Sequence, residues 1–173
     1  SENTPTGAKS LSVSKGTLYL YFDGKEALTE AACTQGFEVF AGYLIRALRA
    51  PTPRARLIET GEQYRAFAVE NPLDYRFIFM SMPKNSGGPL CDEPSARPQD
   101  ATFRMLVDRV KECMSEGVLK KGNPDEVAVL IWAHVHGLVS LRLSGHMKPV
   151  GSDEAFARFY HHAVSKLLDG LGP

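Results

Sequence analysis

The chain has 173 residues, of which 43% are hydrophobic and 23% charged, as is ordinary for a soluble globular protein with a sizeable core. Twenty basic residues balance twenty acidic ones, so net charge indicates no polyanionic partner and a nucleic-acid interface would have to rest on local residues. The three cysteines are widely spaced with no C-x-x-C pair, which favours a reducing cytoplasm and argues against a disulfide framework or structural zinc.

The N-terminal part of the chain changes character near residue 13. Residues 1–12 are rich in Ser, Thr, Gly and Lys and have no hydrophobic period, so we expect a flexible tail or the remnant of an incomplete N-terminus. A short helix is predicted over residues 14–22, because Ser14 suits an N-cap and Leu18 and Phe22 share one face. Asp-Gly follows and ends it.

Helical spacing of apolar residues predicts three further helices in the first half of the chain. The first covers residues 25–49 and the second covers residues 53–70, with a proline suited to its first turn. A short aromatic-rich helix follows over residues 73–80. Residues 81–98 contain four prolines and two glycines and predict a long loop of the functional or disordered kind.

Three more helices are predicted in the second half, over residues 100–116, 125–144 and 152–168. Gly117 is expected to stop the first of them. Residues 127–143 are apolar nearly all round, but His134, His136 and Arg142 leave fewer than the roughly 20 clean apolar residues that a membrane span needs. We therefore predict a helix buried on more than one side, no membrane span, and an all-α fold, since no stretch is typical of a strand.

Residues 13–28, V-S-K-G-T-L-Y-L-Y-F-D-G-K-E-A-L, are the most informative stretch. With Leu18 and Phe22 facing inward, the predicted helix displays two tyrosines, a lysine and a threonine, and Gly16 permits close backbone approach to a partner. Lys25 is a cation at a helix start, where an external anion would offset the dipole. These features suit a major groove flanked by phosphates, although the residues alone leave open a plain amphipathic surface helix.

The same stretch resembles the recognition helix, and the start of the helix after it, in the TetR family of helix-turn-helix regulators. The family pattern is a valine, a T-L-Y-x-Y-F helix, a short turn and K-E-x-L, matched here by Val13, residues 17–22, Lys25-Glu26 and Leu28. The resemblance implies a small core made by Val13, Leu18, Phe22 and Leu28. It implies DNA contacts, to base edges or phosphates, at Lys15, Gly16, Thr17, Tyr19, Tyr21 and Lys25.

The resemblance divides the chain into a partial helix-turn-helix head at residues 13–28 and a ligand-binding and dimerisation domain at residues 29–170. The family's head has three helices, and residues 1–12 do not supply the first two. We expect those helices to be omitted or unobserved. If the protein does begin at Ser1, the alternative is a helical small-molecule-binding dimer without DNA-binding function.

Two strings in the body, W-A-H-V-H-G-L-V-S-L and Y-R-A-F-A-V-E-N-P-L-D-Y-R-F-I-F, resemble a subclass of TetR regulatory domains with a Trp, His, Gly signature. Trp132, His136 and Gly137 match that signature. Aromatic residues with a few polar groups are typical of an effector pocket, although plain core packing stays open for each of them. The candidate pocket residues are Phe37, Phe40, Tyr64, Phe67, Phe79, Phe103, Trp132 and His136.

The helices at 125–144 and 152–168 are too apolar for a monomer surface, so we expect a two-fold, four-helix interface with a second subunit, with a larger intramolecular core as the alternative. The candidate interface residues are Val127, Ile131, Leu138, Phe156, Phe159, Tyr160, Ala163 and Leu167.

Together these features predict a cytoplasmic homodimeric repressor that binds a palindromic double-stranded DNA operator and is released by a small apolar or amphipathic effector. We expect no cofactor. We also expect no metal, because the histidine pairs 134/136 and 161/162 cannot converge. No nucleophile elbow, P-loop, H-E-x-x-H or helical carboxylate–histidine repeat is present in the sequence, so we predict no catalytic residues and no enzyme.

Overall fold

A computed structural model describes residues 25–81, 98–147 and 150–173 of the chain. Those residues form helices and no strand, which confirms the predicted all-α fold. The elements are α1 (Lys25–Arg46) with a 3₁₀ turn (Ala47–Arg49), α2 (Pro53–Glu70), α3 (Pro72–Met80), α4 (Pro98–Ser115), α5 (Pro124–Leu143) and α6 (Asp153–Leu171). The predicted helix at 14–22, and the predicted loop apart from its two end residues, lie outside the described residues.

Local sequence sets the helix ends. The side chains of Thr52, Asn123 and Ser152 accept hydrogen bonds from backbone N–H groups in the first turns of α2, α5 and α6, at 3.2, 3.0 and 3.3 Å. Gly117 ends the turn after α4 with a φ of 71°, a left-handed conformation that glycine adopts without strain. The Val118 N–H then donates to the Cys113 carbonyl at 2.8 Å, which satisfies one of the free carbonyls at the end of α4.

Residues 33–173 form one compact unit, separate from an N-terminal unit of residues 1–32. Within the larger unit α2 is central and packs against α3, α4, α5 and α6. Helices α5 and α6 both pack beside Gly61, where an added Cβ would make ordinary van der Waals contact at 3.7–3.8 Å with the Tyr160 hydroxyl, Val164 and Val135. The Tyr160 hydroxyl donates to the Gly61 carbonyl at 2.7 Å, so this buried polar group is satisfied.

Helix α5 is buried on one side within the subunit, and the predicted burial of a second side against a partner subunit stays a prediction. Ala128, Ile131, Val135 and Val139 form its buried stripe, whereas large apolar residues lie on the opposite side. By length and composition alone this helix could cross a membrane, and 22% of its most apolar window is buried within the subunit. Arg142, near its end, pairs with Asp153 at 2.7 Å.

Candidate functional site

A connected group of aromatic rings lies where α1, α2, α3, α4 and α5 meet. Phe79 is at its centre and contacts six other rings, with centroid separations between 5.2 and 6.4 Å. The structure brings together all eight predicted pocket residues and adds Tyr75. We call this group the aromatic cluster; its members are Phe37, Phe40, Tyr64, Phe67, Tyr75, Phe79, Phe103, Trp132 and His136.

A polar network runs along one side of the aromatic cluster. The hydroxyls of Tyr64 and Tyr75 each lie 2.9 Å from His136 Nδ1, and 3.3 Å from each other. Ser140 Oγ lies 3.3 Å from His136 Nε2 and 3.4 Å from the Tyr75 hydroxyl. Four polar side chains from α2, α3 and α5 therefore converge on a surface that is otherwise apolar.

Burial fixes the protonation of this network. It lowers the pKa of His136, because a charged imidazolium would lose its hydration, so the ring is neutral at pH 7. Burial likewise raises the pKa of Tyr75 and, with the neighbouring Tyr75 hydroxyl adding to it, holds the pKa of Tyr64 well above its ordinary value. All members of the network are thus uncharged hydrogen-bonding groups.

A neutral histidine has one donor and one acceptor nitrogen, which orders the hydrogen bonds. One order that satisfies these groups is Tyr64 hydroxyl to Tyr75 hydroxyl, Tyr75 hydroxyl to His136 Nδ1, and His136 Nε2–H to Ser140 Oγ; in another, the Tyr64 hydroxyl donates to His136 Nδ1 and the Tyr75 hydroxyl donates to Ser140 Oγ. A ligand carrying a hydroxyl or carbonyl group can replace one link of this chain without stranding a buried polar group. The arrangement can therefore recognise one polar group attached to an apolar body.

Lowering the pH from about 7.5 to about 5.5 is expected to destabilise the fold through His136. Because its folded pKa lies below its unfolded value near 6.5, the unfolded chain binds the proton first. The stability that comes from keeping His136 neutral is fully present above that unfolded-state value. It is lost as the pH falls, and the free energy of unfolding drops by no more than about 1.4 kcal/mol per pH unit for one proton. Urea unfolding of wild type and His136→Asn across this range measures the difference.

The control for this pH dependence is His162→Asn, which replaces an exposed histidine on α6. That variant should keep the wild-type slope of unfolding free energy against pH, whereas His136→Asn should flatten it. Equal slopes in all three proteins would mean that His136 is not held neutral by the fold.

Sequence reasoning missed two members of this site, Tyr75 and Ser140. Tyr75 is fully buried and stands four residues before Phe79 on α3, so the two share a face. Ser140 is one helical turn beyond His136 on α5, and that spacing was a signal available in the sequence.

The predicted interface residues divide into two groups. Ile131, Phe156 and Tyr160 are at most 4% exposed and lie in the core of the subunit itself, so we correct these three: they have no surface to offer a partner. Phe159 is 41% exposed, and the other four are partly exposed on α5 and α6. Those four are Val127, Leu138, Ala163 and Leu167.

Five of the predicted DNA contacts, Lys15, Gly16, Thr17, Tyr19 and Tyr21, lie outside the described residues. The sixth, Lys25, is the first residue of α1. In the described ranges no group of three or more His, Cys, Asp or Glu side chains could hold a metal ion.

A scan against family models supplies the deciding observation. The model described as "Tetracyclin repressor-like, C-terminal domain" matches residues 57–167, which include most of α2, all of α3, α4 and α5, and most of α6. The chain belongs to the TetR family. A second model, "Bacterial regulatory proteins, tetR family", matches residues 8–32 and so covers all six predicted DNA contacts. TetR-family membership makes this chain a DNA-binding transcriptional regulator.

Solved structures share the TetR-like fold at low sequence identity. One is a protein of unknown function from Rhodococcus sp. RHA1, with a TM-score of 0.74 and 20% identity over 94% of this chain and 80% of that one. Another is SCO4313, a protein assigned a regulatory role, with a TM-score of 0.64 and 20% identity over 92% of this chain and 81% of that one. Among curated protein sequences none matches significantly.

Proposed function

We propose that this chain is a cytoplasmic, homodimeric transcriptional repressor that leaves a palindromic operator when a small amphipathic effector binds the aromatic cluster. The observation that carries the proposal is the network of Tyr64, Tyr75, His136 and Ser140 at the side of that cluster. A site with apolar walls and a few convergent polar groups is the usual form of a small-molecule pocket.

The effector has a flat or branched apolar body and one hydroxyl or carbonyl group. The body separates the rings around Phe79, while the polar group takes a place beside His136. Phe79 and Phe103 are partly exposed, and so are Trp132 and His136, whereas Phe37, Phe40, Tyr64 and Phe67 are buried. We therefore place the entrance of the pocket at the partly exposed members and its floor at the buried ones.

Helix α1 couples the effector to DNA. It contributes Phe37 and Phe40 to the aromatic cluster and begins at Lys25, inside the stretch matched by the N-terminal family model. An effector that moves Phe79 displaces its ring contacts on α1, and the helix carries that displacement along its length. Effector binding then shifts the population between DNA-competent and DNA-incompetent dimers.

We place the DNA contacts on the six residues of the N-terminal match. Lys15, Gly16 and Thr17 lie against base edges, and Tyr19, Tyr21 and Lys25 hold phosphates. Two such heads in a two-fold dimer read half-sites about one helical turn apart.

Gel-shift titration of the full-length gene product on the DNA upstream of its own gene tests this proposal. We expect a saturable, salt-sensitive complex. Lys25→Ala should raise the dissociation constant of this complex by about tenfold. It should also reduce the salt dependence of binding, because roughly one fewer counterion is released. Lys121→Ala, at an exposed lysine between α4 and α5, is the matched control and should bind as wild type. No saturable complex would contradict the proposal, and retained effector binding would then favour a helical small-molecule-binding dimer.

A further inference from the structure

Helix α1 passes very close to α3 at Gly36. This glycine is buried, and a Cβ atom added to it would lie only 2.7 Å from Ile78 Cγ2. Carbon atoms in contact are normally about 3.5–4.0 Å apart, so a larger residue cannot fit here unless one of the two helices moves. Gly36 lies inside a regular α-helix, where glycine is the least favourable residue apart from proline. The position therefore requires glycine for the space that it leaves.

Ile78 has little freedom to move away from Gly36, because its side chain is 3% exposed. The Cγ2 atom is bonded directly to Cβ, so it moves only if χ1 changes or if the backbone of α3 shifts. A branched side chain on a helix has one strongly preferred χ1. The flexible end of the side chain, Cδ1, lies further off, at 4.0 Å from the same added Cβ. The contact thus joins the backbone of α1 to a stiff part of α3.

The same short stretches of α1 and α3 share ring contacts of the aromatic cluster. Phe79 follows Ile78 on α3, and Phe37 follows Gly36 on α1. The centroid of the Phe79 ring lies 5.7 Å from that of Phe37 and 5.4 Å from that of Phe40, one turn further along α1. Rings can pivot about their own side-chain torsions, whereas the contact between Gly36 and Ile78 has no such freedom. A shift of α3 that starts at Phe79 therefore reaches α1 most directly through Gly36.

Hydrogen bonds hold α1 two turns beyond this contact. The Tyr43 hydroxyl donates to Glu70 Oε2 at 2.6 Å and accepts from Asn71 Nδ2 at 3.0 Å. Glu70 is the last residue of α2 and Asn71 connects it to α3, so Tyr43 ties α1 to the junction of those two helices. Gly36 lies about 10 Å along α1 from that tie. Movement at Gly36 is then a tilt of α1 about Tyr43, and not a slide of the whole helix.

We propose that the contact between Gly36 and Ile78 sets the tilt of α1 and thereby the affinity of the protein for its operator. The inference rests on the proposed function, in which α1 couples the aromatic cluster to DNA, and it assigns that coupling to one contact. Lys25 is about 27 Å from Tyr43 along the helix, so a tilt that moves Gly36 by about 1 Å moves the start of α1 by about 2.6 Å. Gly36 is a positioning residue, which acts through α1 without touching effector or DNA.

Gel-shift titration of full-length Gly36→Ala and Gly42→Ala on the DNA upstream of the gene tests the proposal. Both changes add one methyl group to α1 and favour helix formation equally. Gly42 is exposed, and a Cβ there would meet nothing within 4 Å in the part of the chain that the structure describes. Gly36→Ala should raise the dissociation constant by at least about tenfold, because α1 must tilt away from Ile78. Gly42→Ala should bind as wild type. Binding by Gly36→Ala that equals or exceeds wild type would overturn the proposal.

Variants of Ile78 test the contact from the side of α3. Ile78→Leu removes the Cγ2 branch with little change in volume, whereas Ile78→Val keeps Cγ2 and loses only Cδ1. In the Gly36→Ala background, Ile78→Leu should restore operator binding to within about threefold of wild type, and Ile78→Val should restore none of it. As single substitutions, which need no added methyl group, Ile78→Leu should weaken binding by at least about threefold and Ile78→Val should not. Equal effects of leucine and valine in both backgrounds would overturn the proposal.

A signal from Trp132 separates failure of this inference from failure of the proposed function. Trp132 is the only tryptophan in the sequence, and its ring centroid lies 6.4 Å from that of Phe79. Its indole N–H signal in NMR should shift in Gly36→Ala, shown to be folded by circular dichroism, and stay in place in Gly42→Ala. If the wild type binds no operator, the proposed function fails, and the Trp132 signal alone decides whether Gly36 is linked to the aromatic cluster. An unmoved signal would overturn that link.

Discussion

Replacing Leu57 by Ala is expected to lower the free energy of unfolding by about 2–5 kcal/mol. Leu57 lies on the buried face of the central helix α2 and is 2% exposed. The substitution removes buried methyl groups and leaves a cavity that close-packed neighbours can fill only in part. Denaturant unfolding followed by circular dichroism measures the loss, and each 1 kcal/mol should also lower the Tm by roughly 2–4 °C.

The same change at Leu73 is the matched control. Leu73 lies on α3 and is 80% exposed, so Leu73→Ala deletes identical atoms from a position that contacts little. Its unfolding free energy should stay within about 0.5 kcal/mol of wild type. Both variants and the wild type must be compared at one protein concentration, because the proposed dimerisation would add to apparent stability. Equal losses at the two positions would contradict the packing of α2 described here.

The helices were predictable because their signals are local. Pro53 at one end and Asn71-Pro72 at the other predicted the bounds of α2 correctly, since proline both favours a first helical turn and restricts the residue before it. The apolar pattern of α6 predicts an end near residue 168, and Gly170 is a further stop signal, yet the helix runs to Leu171. The Leu171 carbonyl accepts a hydrogen bond from the Lys120 N–H at 3.0 Å, so packing helps to set this helix end.

Whether an apolar helix face packs within its own subunit or against a partner was much less predictable. Phe156 and Tyr160 belong to a clear stripe on α6, and such a stripe shows that a face is buried without showing whether the same subunit or a partner buries it. Here the same subunit does, as the Tyr160 bond to Gly61 shows. The packing of helix α5 was harder to predict, because apolar residues on every side do not indicate which side is buried.

The aromatic members of the site were predictable from the sequence, but its hydrogen-bonding network was not. Aromatic type and helical spacing selected eight residues that do meet, around Phe79. The polar network depends on the rotation of α3, a helix of 9 residues whose sequence alone does not fix how Tyr75 is aimed. His136 contacts two tyrosines that lie 61 and 72 positions away along the chain, so these contacts depend on the tertiary structure.

Replacing both Leu130 and Leu141 by Arg is expected to weaken the proposed dimer by at least about 100-fold, or about 2.7 kcal/mol. The two leucines are 46% and 47% exposed in the subunit and lie three turns apart on the same side of α5. Charges there cost the isolated subunit little. In a two-fold dimer each arginine would be buried against an apolar surface and face like charge, which costs several kcal/mol.

The side of α5 that carries these leucines has the properties of a covered surface. Val127, His134 and Leu138 are spaced at helical intervals between and beside them. His134 is itself only partly exposed. Phe159 on the neighbouring helix α6 is 41% exposed. A partner covering this side would bury apolar area that the isolated subunit leaves exposed.

Sedimentation velocity over a range of protein concentrations measures the dimer, and circular dichroism establishes that the variants are folded. Leu73→Arg, on α3, adds the same charge at a site that is 80% exposed, and should dimerise as wild type. A folded double variant that dimerises with wild-type affinity would exclude this side of α5 as the interface. Because the proposed palindromic operator requires two heads in fixed register, the double variant should also lose DNA binding while Leu73→Arg retains it. That paired outcome ties the exposed apolar side of α5 to regulation rather than to a membrane.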